Sequence, residues 1–311
     1  MSGEGGSTRA ALAALSDRLA AGDVVVIDGA TGTELQARGV PMDDAAWCGV
    51  ANLEQPDVVR DVHADYIRAG ASVVIANTFS TDRLRLGDAG LADRTEEANR
   101  NAVAAALGAR ELTGREDVVV AGSLSRTVAF AIDGTPRPVS PETLAEVYGE
   151  QAGLLADAGA ELLALEMISA LDYGKAALAA ASATGLAVWL GLSADRAPDG
   201  RLVGWQEQSL DFEELVASLV SPDLAAVLVM HSDVDVVDDA LAVVRRHWDG
   251  PLGAYPHVGT FAPPDWEFDE TFTPDELVRR AARWIDAGAQ IVGGCCGLGP
   301  EFIRALSEAY R

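Results

Sequence analysis

Eight short runs of β-branched and aliphatic residues recur along the whole chain, and this recurrence limits the available folds more than any other feature. They are VVVIDGA (24–30), SVVIANT (72–78), DVVVAGS (117–123), LLALEM (162–167), AVWLGLS (187–193), AAVLVMH (225–231), PLGAYPH (251–257) and IVGG (291–294). Between them lie stretches of helical periodicity such as PDVVRDVHADYIRA, PETLAEVYGEQAGLLADA and PDELVRRAARWIDA. Near-continuous apolar strands alternating with amphipathic helices imply a parallel sheet covered by helices. The tripeptide Ala-Gly-Ala appears at 69–71, 158–160 and 287–289, each time between a helix and a strand. Gly70, Gly159 and Gly288 thus fall where a helix end calls for left-handed backbone. Eight such units fit an α/β fold of the (β/α)8 TIM-barrel type, with a doubly wound open sheet as the alternative.

With 311 residues, 49% of them hydrophobic, the chain can bury one large core. The expected organisation is an N-terminal tail and short helix over 1–22 and one barrel domain over 23–311. The start lacks a basic leader, and Asp17 and Arg18 interrupt its apolar stretch, so it reads as neither a signal peptide nor a membrane span. A formal net charge of −25 disfavours nucleic acid as a partner, and no membrane partner is expected. Three cysteines, an odd number, suggest reduced thiols in the cytoplasm.

Barrel active sites are built at the C-terminal ends of the strands. In order these ends carry Asp28, Asn77, Ser123, Glu166, Ser193, His231, His257, and Cys295 beside Cys296. The chain has only four His and three Cys, so two of each at one rim is hard to ascribe to exposure alone. Zinc favours thiolate and imidazole ligands and, at catalytic sites, keeps one position open. Adjacent cysteines on a regular strand point to opposite faces, and Gly293, Gly294 and Gly297 would let the backbone leave that geometry. Two small buried residues or a vicinal disulfide would also account for the pair, which lacks the C-x-x-C spacing of zinc knuckles.

Three segments make the pattern specific: IDGATGTELQARG (27–39), RAGASVVIANTF (68–79) and GGCCG (293–297). With DAGAELLALEM (157–167), AYPHVG (254–259) and DAGAQIVGGCCGLGP (286–300), the sequence resembles the homocysteine S-methyltransferase family over nearly its whole length. The resemblance implies a zinc barrel that methylates homocysteine to methionine, with Cys295 and Cys296 as two of three zinc thiolates. The third thiolate of the family closes the sixth strand, where this chain has His231. A Cys2His shell is chemically sound and makes the ion more electrophilic, and the bound thiolate a weaker nucleophile. His257 stands where the family usually shows Asn, and could ligate or orient substrate; His231 is the favoured third ligand. Cys48 matches no ligand position.

Asp28 and Glu166 are the expected partners of the homocysteine ammonium, and the family resemblance agrees. The turn amides of Gly29, Ala30 and Thr31 are suited to its carboxylate, and Asn77 is placed in the same pocket. The long loop 259–274 carries Phe261, Trp266 and Phe268 among carboxylates, a setting that attracts a sulfonium or quaternary ammonium donor through cation–π contact. Betaine, S-methylmethionine and S-adenosylmethionine are all candidates. The chain ends at Arg311 without room for a cobalamin domain, so the donor is either used directly or met through a separate corrinoid protein. Schiff-base chemistry is disfavoured, because Lys175 is the only lysine and follows the fourth strand on a helix. A metal-dependent lyase, a zinc-binding or thiol-binding barrel with an altered acceptor, and one without methyl transfer all stay open at this point.

Overall fold

The structure, a computed structural model, describes residues 4–127, 129–130 and 136–310. Eight parallel strands make its centre: β1 (Val25–Val26), β2 (Val73–Ile75), β3 (Val119–Ser125), β4 (Leu162–Ile168), β5 (Ala187–Leu192), β6 (Ala226–Asp233), β7 (Leu252–His257) and β8 (Ile291–Val292). The paired order is β1-β8-β7-β6-β5-β4-β3-β2. Two hydrogen bonds join the remaining edges: Ser72 N–H donates to the Val26 carbonyl at 2.8 Å, and Asp28 N–H to the Val73 carbonyl at 3.1 Å. The ring is therefore a (β/α)8 barrel; an open sheet would not bring its first and last strands together.

Strand alternation sorts the core into two layers. Val25, Ile27, Val73, Ile75, Leu162, Trp189, Leu228 and Ile291 fill the interior. Val26, Val74, Val120, Leu163, Leu190 and Val227 point outward to the helices. The repeated Ala-Gly-Ala units behave as their position requires, with Gly70, Gly159 and Gly288 at φ 113°, 101° and 97°. The N-terminal helix runs over Glu4–Ala21, longer than expected, and the first three residues of the expected tail lie outside the described residues. Its Ala11, Leu15 and Leu19 join the interior cluster, so the helix caps the N-terminal end of the barrel.

Two insertions rise at the other end. After β5, Ala194–Arg196, Leu202–Gly204 and Glu207–Asp211 form a small antiparallel sheet. After β7, Thr260–Ala262 and Asp265–Glu267 form a hairpin. Gln36, on the helix Thr31–Ala37, ties this hairpin down, accepting from Trp266 N–H at 2.8 Å and donating to the Trp266 carbonyl at 3.0 Å.

At the start of β4, Glu161 is buried against Arg110, whose Nη1 lies 3.0 Å from both carboxylate oxygens, and it also accepts from Val120 N–H at 2.6 Å. Burial outweighs these partners and raises the Glu161 pKa, so the pair is held in place rather than strongly stabilising. Removing one member leaves the other buried alone. Glu161→Ala is expected to lower unfolding free energy by about 3–5 kcal/mol, read from urea denaturation midpoints at constant m-value.

Candidate functional site

The strands that carry the site leave regular geometry where the key side chains begin. The β4–β5 register shifts between Leu165 and Ile168, and Met167 has φ 58°. The β6–β7 register shifts between Met230 and Asp233, and His231 has φ 47°. Such bulges re-aim side chains at barrel rims. The other non-glycine residues with positive φ among the described residues are Trp47 and Gln206, at 45° and 57°. All four lie around one mouth, and strained backbone of this kind persists where the surroundings hold it in place.

His231, Cys295 and Cys296 converge there and are buried. The His231 Nδ1 is 3.3 Å from the Cys295 Sγ and 4.0 Å from the Cys296 Sγ, and the two sulfurs are 3.9 Å apart. A tetrahedral zinc with bonds of about 2.3 Å to sulfur and about 2.0–2.1 Å to nitrogen has ligand–ligand edges of about 3.5–3.8 Å. The three atoms fit such a shell. The pair is fixed to the end of β7, since Cys295 N–H donates to the Pro256 carbonyl at 2.6 Å and Val258 N–H to the Cys296 carbonyl at 2.9 Å. Only Gly297 of the flanking glycines uses left-handed backbone, at φ 82°. Gly293 serves close approach instead, as a Cβ there would stand 2.6 Å from Ile27 and 2.8 Å from the Asp28 carbonyl.

The electrostatics call for a cation. Burial, with His257 beside it, lowers the His231 pKa far below the usual value, so the imidazole is neutral and free to ligate. The Cys295 thiol is pushed up by its contact with Cys296, by burial and by the Glu166 charge. Burial raises Asp28 strongly and Glu166 adds to this, against hydrogen bonds from Ile75 N–H at 2.6 Å and the Tyr255 hydroxyl at 3.5 Å. Glu166 is raised to about 7 by burial, with the Ser123 hydroxyl acting in the opposite direction. Two carboxyls and two thiols are thus gathered with only neutral imidazole beside them. A divalent ion reverses the thiol shift outright, and an ammonium would do the same for the carboxyls.

The remaining expected residues take distinct places. No hydrogen bond among the described residues uses the N–H groups of Gly29, Ala30 or Thr31. Asn77 is buried, with its amide donating to the Cys48 carbonyl at 2.9 Å and to Asn52 Oδ1 at 3.0 Å, so it anchors the segment that bears Trp47. Cys48 lies outside the triad; its thiol donates to Asn77 Oδ1 at 3.1 Å and burial pushes it up to about 12. His257 is also outside the triad, its ring 4.8 Å from that of His231 and its buried Nδ1 without a partner. Sequence reasoning passed over Trp47, Phe79 and Trp205. Trp205 stands edge-on to His231 at 4.9 Å, and Phe79, Trp47, Phe261 and Trp266 continue an arc of rings at 6.1–6.3 Å spacing that reaches His257 at 5.4 Å.

A (β/α)8 barrel with a soft-metal triad and buried acids at its C-terminal mouth belongs to the class of barrel enzymes that handle thiols. Residues 25–310 match the family described as Homocysteine S-methyltransferase. The chain is 28% identical to Homocysteine S-methyltransferase 4 of Zea mays, covering 94% of this chain and 90% of the relative. It is 24% identical to Homocysteine S-methyltransferase YbgG of Bacillus subtilis, over 93% and 95% of the two. The metallated crystal structure of the homocysteine methyltransferase MmuM from Escherichia coli superposes with a TM-score of 0.77 at 25% identity, covering 96% and 99%. This chain belongs to the homocysteine S-methyltransferase family.

Because the folded state holds a proton on Glu166 up to about pH 7, against an ordinary 4.5, it binds more protons than the unfolded chain between those values. Stability contributed this way falls as pH rises through that window. In metal-free, substrate-free protein, Glu166→Gln is expected to remove on the order of 1–3 kcal/mol of the loss between pH 5 and pH 8. Paired urea titrations of wild type and variant measure it; parallel pH dependences would exclude the shift.

Proposed function

We propose that this chain transfers a methyl group from a small onium donor to the thiol of homocysteine, giving methionine, at a zinc centre held by His231, Cys295 and Cys296. The observation that carries the reading is the convergence of that triad with the buried Asp28 and Glu166 at the barrel mouth. Zinc in such a shell supplies the Lewis acidity that keeps a thiol deprotonated at neutral pH. Asp28 and Glu166 receive the homocysteine ammonium, whose charge restores both to carboxylates. The amides of Gly29, Ala30 and Thr31 face its carboxylate. His257, packed against His231, limits how that ring can turn.

The arc from Phe79 to Trp266 presents ring faces and edges to the donor, and such rings attract a desolvated onium. Transfer is an in-line displacement. The homocysteine sulfur supplies the electron pair of the new carbon–sulfur bond. The bond from the methyl carbon to the onium centre breaks, and its pair stays on the donor, which leaves as a neutral thioether or tertiary amine. The pocket contributes positioning, worth several kcal/mol when the reacting atoms are held about 3–3.5 Å apart. A small donor fits this arrangement without a corrinoid partner. A reducing compartment such as the cytoplasm suits a site that depends on free Cys295 and Cys296.

Purified protein is expected to hold about one zinc per chain. Cys295→Ala and Cys296→Ala should abolish retention through a chelator wash, His231→Ala should weaken zinc affinity at least about tenfold, and His257→Ala should keep the metal. Metal analysis, followed by methionine formation from homocysteine with a panel of onium donors, checks each step. Wild-type protein without zinc and without methionine from any donor would refute the reading.

A further inference from the structure

Across the mouth from the aromatic hairpin, two arginines stand together. Arg126 follows β3 directly, and Arg85 lies on the helix Arg83–Asp88 after β2. Arg85 Nη2 donates to the Arg126 carbonyl at 3.0 Å. The Arg85 guanidinium lies over the Phe79 ring at 5.7 Å, and the Arg126 guanidinium over the Tyr173 ring at 5.9 Å. Arg126 Nη1 donates to Gln206 Oε1 at 3.1 Å. Among the described residues the one carboxylate paired with these two cations is Asp82, 3.7 Å from Arg85, and the buried Arg85 Nε has no hydrogen-bond partner. Among the described residues, Arg126 thus has no carboxylate partner, in a chain whose formal net charge is −25.

Its position relates it to the reaction. Gln206 follows Trp205, whose ring is 4.9 Å from that of His231. Tyr173 binds Ser169, just beyond the strand that carries Glu166. In the ring order β3 lies four strands from β7, so Arg126 stands on the opposite side of the rim from the Phe261–Trp266 hairpin, beside the Tyr173 and Gln206 segments. A donor with its onium centre against Trp205, the ring beside Gln206, would have Arg126 within reach of its remaining atoms. The flat guanidinium there has donors suited to a carboxylate, and its stacking on Tyr173 limits its freedom before any ligand arrives.

We propose that Arg126, supported by Arg85, is a specificity-determining residue that binds the carboxylate of the methyl donor and so selects onium carboxylates over onium ions without an anionic group. The inference rests on the onium-donor reading above.

The test is steady-state kinetics at saturating homocysteine with two matched donor pairs: dimethylsulfoniopropionate against trimethylsulfonium, and glycine betaine against tetramethylammonium. Wild type is expected to favour the carboxylate member of any pair it uses. Arg126→Ala should raise the KM for that member at least about tenfold, as expected for loss of a charge-assisted contact. It should leave the KM for homocysteine and the rate with the carboxylate-free member unchanged, and Arg126→Lys should recover part of the preference. If wild type shows no preference, or Arg126→Ala affects both members alike, the carboxylate subsite is wrong while methyl transfer stands. If wild type makes methionine from none of the four and from neither S-methylmethionine nor S-adenosylmethionine, the onium-donor reading fails and the subsite falls with it.

Discussion

Closure of the barrel at β1 is the constraint on which the site depends. Asp28 sits on that seam with three of its groups engaged at once. Its N–H donates to the Val73 carbonyl of β2, its carbonyl accepts from Gly294 N–H just beyond β8, and its carboxylate accepts from Ile75 N–H. The same backbone that joins the first strand to the second and last therefore presents the acid. Residues 28 and 295 are far apart in sequence, and only a closed ring brings them to one pocket. The missing Cβ of Gly293 permits that seam, because any side chain would meet Ile27 and the Asp28 carbonyl.

The mouth is a locally unfavourable arrangement inside a well-packed scaffold. Asp28, Glu166, Cys295 and Cys296 are all buried, and burial penalises the charged form of each acid whose pKa is displaced. Cations bound by the folded state and not by the unfolded chain return that free energy by mass action. On the proposed function, stability and substrate or metal binding are coupled through the same groups. The interior layer of Val, Ile and Leu below, with the N-terminal helix beneath it, supplies the rigidity that holds such a site together.

Much of this architecture was legible in the sequence, for identifiable reasons. Buried parallel strands are apolar on both faces, so their runs stand out against amphipathic helices, and each of the eight predicted runs overlaps a barrel strand, with β3, β4 and β6 continuing one or two residues further. A polar or metal-competent residue at or next to the end of each run then marks the rim. His231, Cys295 and Cys296 were visible because their residue types are scarce here and metal-competent. Trp47, Phe79, Trp205 and Arg126 were not, because each owes its place to insertions or loops whose paths depend on long-range contacts. Trp205 reaches His231 only because Gly204 lets the backbone pass close to Ser169, where a Cβ would stand 2.2 Å from its carbonyl. The role of the glycines beside the cysteines was only half legible, since close approach leaves the same mark in a sequence as conformational freedom.

His231, proposed as the third zinc ligand, shows how a histidine fits a strand end where the family has a cysteine. An imidazole reaches farther from its backbone than a thiol, so a histidine on regular strand geometry would overshoot a position sized for cysteine. The bulge between Met230 and Asp233, with His231 at φ 47°, changes that approach and brings Nδ1 to 3.3 Å from Cys295. The irregularity interrupts the strand ladder, and serines take over part of the bonding. Ser193 donates to the Met230 carbonyl at 2.6 Å, and the Ser232 hydroxyl accepts from Ala194 N–H at 2.8 Å. Satisfying those groups is what makes a left-handed histidine tolerable in a buried rim. On the proposed zinc reading, the exchange would also lower the local negative charge, because neutral imidazole would stand where a thiolate is expected, beside Asp28 and Glu166. On the same reading, those carboxyls would ionise more readily and hold an ammonium more firmly.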